Sequence, residues 1–540
     1  MKNHSPAHPF PNPSNHSNLS TPASVPCPSF GQALFHRFFP LLGLLILLTF
    51  PFAAGAWASG EGAEGEVEAA GAEVKWKEAS VHDPSVIRAA DGVFYIYGSH
   101  MAAARSDDLI SWETISRNAN TGCRLVENVQ EEMKEALAYA KTTTFWAPDV
   151  QQLKDGRYYL YYCACEGSSP LSALGLAVSD RPEGPFRDLG VFLTSGGPGY
   201  DATVLPNAVD PCVFFDREGK LWMVYGSYSG GIYILEMNDE TGLPLEGQGY
   251  GKRLLGKNHA RIEAPYILYS PDTEFYYLFL SFGGLNAADG YNIRVCRSKN
   301  PDGPYVDALG QDMIDCGGAP GTFFHDPDYE PYGVKLLGGY CFDSLAGGSA
   351  AAPVVYRSPG HNSAFHDPET GRYSLIFHTR FAGRGENHRV RVHQMMMNAE
   401  GWPVVFPWRY AGESPEAVPE AERAGLYQVI LHGRDINLTE HRSRVVTLLP
   451  DGTIAGGGME AGDGTGTSEG TGTGEGTGTG DLTGTWSCDG MSFRCELDGI
   501  AYTGVLVRAY DNQAKAWVPC FTALDASGAA LWGSRAAGEP

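Results

Sequence analysis

Three acidic residues stand one or two places before prolines at the head of apolar segments: Asp83 in His82-Asp83-Pro84-Ser85, Asp210 in Val209-Asp210-Pro211, and Glu263 in Glu263-Ala264-Pro265-Tyr266. Carboxyls gathered in one pocket can divide acid and base work. One stays protonated to donate to a leaving oxygen, and another stays ionised to take a proton from water. A third can hold the acid's pKa up by its own charge and orient it. Asp149 in Trp146-Ala147-Pro148-Asp149 and His361 in Gly360-His361-Asn362-Ser363 occupy related settings. These residues are far apart along the chain, so the chemistry depends on elements that bring them together.

Between 76 and 410 the chain repeats one unit: an apolar strand, an Asp-Gly-like turn and an aromatic strand. Asp83-Pro84-Ser85-Val86-Ile87-Arg88 leads through Asp91-Gly92 to Val93-Phe94-Tyr95-Ile96-Tyr97-Gly98. Ala147-Pro148-Asp149-Val150 leads through Asp155-Gly156 to Tyr158-Tyr159-Leu160-Tyr161-Tyr162. Units led by Asp210-Pro211, Glu263-Ala264-Pro265 and His361 follow. The first four prolines are about 55–65 residues apart, room for one four-stranded blade and its loops. The expected fold is therefore all-β, a five-bladed β-propeller. Generic hairpins in a sandwich would not set the Pro-led step at the same place in each of the first four units. The first strand of a blade lines the central channel, so Asp83, Asp149, Asp210, Glu263 and His361 should converge at one end of it.

Carboxylates facing one pocket among aromatics suit glycoside hydrolysis. Phe145 and Trp146 can stack on sugar rings, and His82, Ser227 and Tyr228 can hydrogen-bond sugar hydroxyls. Asp149 joins this substrate-binding set, with a structural role as its alternative. His325-Asp326-Pro327 and His366-Asp367-Pro368 repeat the opening signature but lead no strand in the right place, or fall in a turn, and are set aside.

Together, His82-Asp83-Pro84-Ser85, Phe145-Trp146-Ala147-Pro148-Asp149, Val209-Asp210-Pro211, Glu263-Ala264-Pro265-Tyr266 and Gly360-His361-Asn362-Ser363 resemble glycoside hydrolase family 43. Within it they are most similar to extracellular endo-1,5-α-L-arabinanases that carry a C-terminal β-barrel domain. The resemblance covers about 75–534. It implies inverting hydrolysis of arabinan with Asp83 as general base, Glu263 as general acid and Asp210 tuning the acid. It also implies that His361 lies near a central cation, usually calcium, largely coordinated by water. Exo-α-L-arabinofuranosidase or β-xylosidase action in the same family is one alternative; a non-catalytic carbohydrate-binding propeller is another.

The remaining chain sets the context. The net charge of −24 argues against a nucleic-acid or anionic-membrane partner, because phosphate binding needs a basic surface. Plant cell-wall arabinan is the expected partner, with no membrane partner beyond export, and the protein is expected to act as a monomer. Residues 1–58 read as an export signal with a long polar start, an apolar run from Phe38 and a small-x-small site at Ala56-Trp57-Ala58. Pro40 and Pro51 cut that run below the ~20 residues a spanning helix needs. An uncleaved anchor is the alternative, and the product is expected to be secreted. Residues 59–75 form an acidic linker, 411–424 a Pro/Glu/Ala-rich boundary, and 425–534 a small β-barrel-like domain with a Gly/Thr-rich loop at 456–480. The spacing of the eleven cysteines shows no zinc site, and export would permit disulfides without specifying them.

Overall fold

The computed structural model describes residues 73–345, 352–456 and 482–538. The expected leader 1–58, most of the linker 59–75 and all of the 456–480 tract except Gly456 lie outside the described residues. The architecture is all-β: five blades around a channel, followed by a closed eight-stranded barrel.

Blade 1 comprises Ser85–Arg88, Phe94–Gly98, Ala102–Ser106 and Glu113–Ser116. Blade 2 comprises Asp149–Gln152, Tyr158–Cys165, Ser172–Ser179 and Arg187–Ser195. Blade 3 comprises Cys212–Phe215, Leu221–Tyr225, Ile232–Met237 and Lys252–Leu255. Blade 4 comprises Ile262–Ser270, Phe275–Phe282, Asn292–Ser298 and Val334–Leu337. Blade 5 comprises Tyr356–His366, Tyr373–Phe381, His388–Met397 and Pro403–Val405. Each blade is an antiparallel meander, and its aromatic second strand is buried on both faces by neighbouring blades. The tyrosine runs are therefore core. Gly92 and Gly156, with φ of 88° and 82°, close the first two Asp-Gly turns in a conformation that an L side chain adopts poorly.

The five first strands form the closed inner ring. Each touches the first strands of both neighbours, and that of blade 5 closes against that of blade 1. Ser363 Oγ donates to the Pro84 carbonyl at 2.7 Å across this seam. A second latch lies outside it: Val390 N–H donates to Ala79 O at 3.1 Å, and Glu78 pairs with Arg389, Arg391 and Arg409. The segment before blade 1 is thereby bound to blade 5, which locks the ring.

The barrel runs from Gly425–Leu431 to Ala530–Arg535, and these two strands pair to close it. Thr453–Gly456 pairs with Gly484–Asp489, so the strands on either side of residues 457–481 belong to one barrel. It shares a continuous apolar core with blades 4 and 5, in which Trp532, Tyr340, Phe342 and Trp408 are buried together. Tyr340 meets the Trp532 ring edge-on at 5.0 Å, and Trp408 Nε1 donates to Ser534 Oγ at 2.9 Å. The ten cysteines among the described residues are all free thiols. Trp532→Ala is expected to cost about 3–5 kcal/mol and to lower the melting of propeller and barrel together. Calorimetry checks this, and a barrel melting alone at lower temperature would show the two to be independent.

Candidate active site

Where each acidic residue stands relative to its proline decides which ones converge. Asp83 and Asp210 precede Pro and hold φ of 57° and 55°, in the left-handed region. The residue before proline is disfavoured in the right-handed helical region, and Asp is one of the few side chains that visit the left-handed one. In blade 4 the left-handed residue before proline is Ala264, with φ 57°. Glu263 stands one place upstream, and the pairing register slips between Glu263 and Tyr266. His361, with φ 44°, donates its backbone N–H to Ser281 Oγ at 2.7 Å.

Asp83 is buried and heavily bonded. Its Oδ2 takes His82 Nδ1 at 2.7 Å and the Ser99 hydroxyl, and its Oδ1 lies 3.1 Å from His361 Nδ1. Three donors leave one of the roughly four lone-pair positions of a carboxylate. Arg380 donates to His82 Nε2 at 3.2 Å, which leaves Nδ1 to carry the proton given to Asp83. The Asp83 N–H donates to His378 Nδ1 at 3.2 Å. Burial opposes the charge of Asp83, but His361 and His82 outweigh it and hold the carboxyl well below its usual range.

Glu263 takes the opposite course. Ser227 Oγ donates to its Oε2 and Tyr291 OH to its Oε1, both at 2.8 Å. Burial nevertheless lifts its pKa above the usual glutamate value, against the pull of His361 and these hydroxyls. Asp210 accepts the Ala264 N–H at 3.2 Å and is thereby fixed to the residue after Glu263. Burial, opposed by His361 and reinforced by the charges of Glu263 and Asp83, pushes Asp210 up to about 8. Glu263 and Asp210 therefore hold a proton between them at neutral pH while Asp83 stays ionised.

His361 provides the positive charge. Burial disfavours its cation, yet Asp83, Asp210 and Glu263 raise it to about 9. Positive charge is favoured at this point whether a proton or a metal carries it, so the surroundings suit a cation. With Nδ1 on Asp83, a metal would use Nε2. Calcium takes about six to eight oxygens, so a single ring nitrogen is an atypical ligand for it and the other positions would fall to water. His82, Asp83 and His378 also bring ligand atoms within 4.8 Å of one another, but His82 Nδ1 is already bonded to the Asp83 carboxylate and His378 Nδ1 already accepts the Asp83 backbone N–H.

Two expected substrate-binding residues are placed otherwise. Phe145 is 1% exposed and meets the Tyr162 ring edge-on at 5.6 Å, so the blade core rather than a sugar takes its face. Asp149 follows its proline, lies inside the first strand of blade 2, and is buried. Its oxygens accept the Ser85 hydroxyl and, at 2.6 Å, the Val213 N–H, so it staples blades 1, 2 and 3 together. Burial pushes it up to about 6. His82 and Ser227 touch the carboxylates directly. Tyr228 donates to the Gly283 carbonyl at 3.2 Å, and Trp146 is half-buried before the first strand of blade 2.

Tyr291, Ser99 and Ser281 complete the site without having been marked by the repeat, and so do His378 and Arg380 of His378-Thr379-Arg380, a run whose sequence suits the channel floor and a structural role equally. One signal was available: Tyr97-Gly98-Ser99 and Tyr225-Gly226-Ser227 end the second strands of blades 1 and 3 alike, and each serine donates to a carboxylate. Gly360 also has a legible purpose, because a Cβ there would stand 1.9 Å from the Tyr291 ring. Its absence lets Tyr291 reach Glu263.

Comparison with known proteins places this arrangement. The family model described as glycosyl hydrolases family 43 matches residues 77–325, and one described as a C-terminal lipocalin-like domain matches 407–533. The chain is 51% identical to the extracellular endo-α-(1→5)-L-arabinanase 2 of Bacillus subtilis, over 85% of this chain and 94% of that one. It is 44% identical to the extracellular endo-α-(1→5)-L-arabinanase of Thermotoga petrophila, with the same coverage. A crystal structure of the endo-1,5-α-L-arabinanase from Thermotoga petrophila superposes with a TM-score of 0.78 at 44% identity, over 86% of this chain and all of that one. A family 43 glycoside hydrolase structure from Bacillus licheniformis gives 0.79 at 50% identity, again over 86% and all of the two chains. With the propeller, the buried carboxylates and relatives this similar over nearly their whole length, the chain belongs to glycoside hydrolase family 43.

Proposed function

We propose that this protein is an extracellular endo-1,5-α-L-arabinanase that cleaves linear arabinan with inversion. The observation that carries the reading is geometric: in one buried site Asp83 accepts His82 and Ser99 and faces His361 Nδ1 at 3.1 Å, whereas Glu263 accepts only two hydroxyls, settings that push Asp83 down and Glu263 up. Opposite shifts assign base and acid. The relatives named as endo-arabinanases at 44% and 51% identity supply the substrate and the mode of cleavage. Their names also support action outside the cell. Among the described residues no helix is long and apolar enough to cross a membrane.

In this mechanism Asp83 takes a proton from water through its remaining lone pair as the water attacks the anomeric carbon. Glu263 gives its proton to the departing glycosidic oxygen. The two carboxyls of an inverting enzyme stand about 6.5–9.5 Å apart to admit that water. Asp210, bonded to the residue after Glu263, orients the acid and shares one proton with it, the charge on one carboxyl holding the proton on the other. The donors that hold Asp83 ionised also weaken it as a base; the positive charge that builds on the sugar ring favours an ionised carboxylate nearby and offsets this in the transition state. A cation bound at His361 would supply fixed positive charge over the three carboxylates.

Asp83→Ala or Glu263→Ala should each lower kcat on linear arabinan by about 10²–10⁴-fold with the melting temperature retained. Near-wild-type rates in either would remove the assignment, and proton NMR of the first product anomer checks inversion. The products should be short oligosaccharides from the outset, since exo-cleavage would yield monomer. In the pH profile of kcat/KM, the alkaline limb follows loss of the Glu263 proton, and the acid limb follows protonation of Asp83. Asp210→Asn removes the like charge that holds the acid's proton, so the alkaline limb should move to lower pH while the acid limb moves less. Chelation followed by calcium addition tests the cation: the melting temperature and kcat should both fall and then recover. A protein indifferent in both to chelator would carry its positive charge as the His361 proton.

A further inference from the structure

Phe323 is 63% exposed and Phe324 42%. Scattered exposed apolar residues need no explanation, but these two rings are part of a row. Their centroids are 4.0 Å apart. Phe324 meets Tyr228 at 5.4 Å with planes at 72°, and Phe323 meets His259 at 4.8 Å. Tyr228 follows Ser227, the donor to Glu263. The row therefore leaves the site from the acid's side and runs outward.

The loop that carries it is anchored. Arg261, two residues before Glu263, donates from Nε to Asp326 Oδ1 at 3.0 Å and also pairs with Asp326 through its terminal nitrogen. Its N–H donates to Tyr329 OH at 3.0 Å. Ala319 N–H donates to Asp328 Oδ2 at 2.9 Å, and Asn258 Nδ2 to Gly318 O at 2.7 Å. Asp326 belongs to the His325-Asp326-Pro327 step set aside in the sequence; its part is to tie this loop to the strand that bears Glu263. Two phenylalanines are thus left exposed on an anchored loop, an arrangement that costs apolar hydration beyond what their contacts with each other, Tyr228 and His259 return.

We propose that Phe323 and Phe324, continuing from Tyr228, form a stacking platform for arabinofuranose rings of the polysaccharide on the acid's side of the cleavage point. An aromatic face carries negative quadrupole charge and takes the polarised C–H bonds of a sugar ring, without reading its hydroxyls. Two such exposed faces, tilted by 40° to one another, suit the rings of a polymer that extends past the cleavage point and do nothing for a chain too short to reach them. This inference rests on the arabinanase reading.

The test compares wild type with the Phe323→Ala/Phe324→Ala double variant on linear arabinan and on arabinotriose. The ratio of kcat/KM for polymer over triose should fall about tenfold through a higher KM for polymer, with melting unchanged. Phe323→Trp/Phe324→Trp, which keeps flat faces, should restore at least part of the ratio. An unchanged ratio in the alanine variant would overturn the platform and leave the patch to a protein partner. Should wild type cleave neither substrate, the reaction reading fails by itself. The platform is then judged by affinity electrophoresis in linear arabinan: retardation of wild type lost in the alanine variant supports it, and equal mobility overturns it.

Discussion

Three carboxylates buried in one site cannot all be charged, and the rest of this structure is arranged around that constraint. Removing charge from water is costly, and like charges in a poorly screened space add to the cost. The site meets it unevenly. Donors are concentrated on Asp83, which accepts His82, Ser99 and His361 and stays ionised. Glu263 has two hydroxyls and Asp210 one backbone N–H, too little to overcome burial. The asymmetry that separates a base from an acid thus comes from the two histidines set against Asp83, all three carboxyls being similarly buried.

Holding those donors in place requires a rigid frame, and the propeller supplies it. His361 comes from blade 5, Asp83 from blade 1, Asp210 from blade 3 and Glu263 from blade 4. Their mutual placement depends on the inner ring being closed, which Ser363, Asp149 and the Glu78 latch each reinforce. The left-handed step before proline does the local work. It places Asp83 and Asp210 ahead of their strands, where ladder pairing does not dictate where the side chain points, at a conformational cost on the order of 1 kcal/mol each. Asp149 shows the contrast: one place past its proline, it becomes a strand residue and a structural one.

That contrast explains what could be read from the sequence. The blades were legible because a Pro-led strand, a glycine turn and an aromatic strand recur, and each part has a local physical cause. The residues gathered around the channel mouth, Asp83, Asp210, Glu263 and His361, were legible because they stand at the repeat's head. Tyr291 was not, because it lies before the third strand of its blade and its role depends on Gly360 in another blade leaving room. Phe145 could not be assigned from its neighbours, since an aromatic ahead of a strand suits a sugar or a core equally, and only packing against Tyr162 decides. Phe323 and Phe324 carried no signal, because nothing local marks a loop whose anchor is Arg261, some sixty residues earlier.

The barrel also bears on the site, through contact rather than chemistry. Between its first and second strands the chain reaches back to blade 4. Ile436 lies against Gly283 and the Asn437 backbone against Gly290, where an added Cβ would stand 3.0 Å and 2.5 Å from them. These glycines bracket the loop between Tyr228's acceptor, the Gly283 carbonyl, and Tyr291, the donor to Glu263. Lys335 is buried beneath the same segment, donating to the Asp435 carbonyl at 2.7 Å, and burial lowers its pKa to about 8. A buried ammonium is tolerated only where its partner is fixed, so the segment is held from below while it holds the loop from outside. The acid's hydroxyl donor is thus positioned by Gly360 on one side and by the barrel's connecting segment on the other, which makes the second domain part of the catalytic frame.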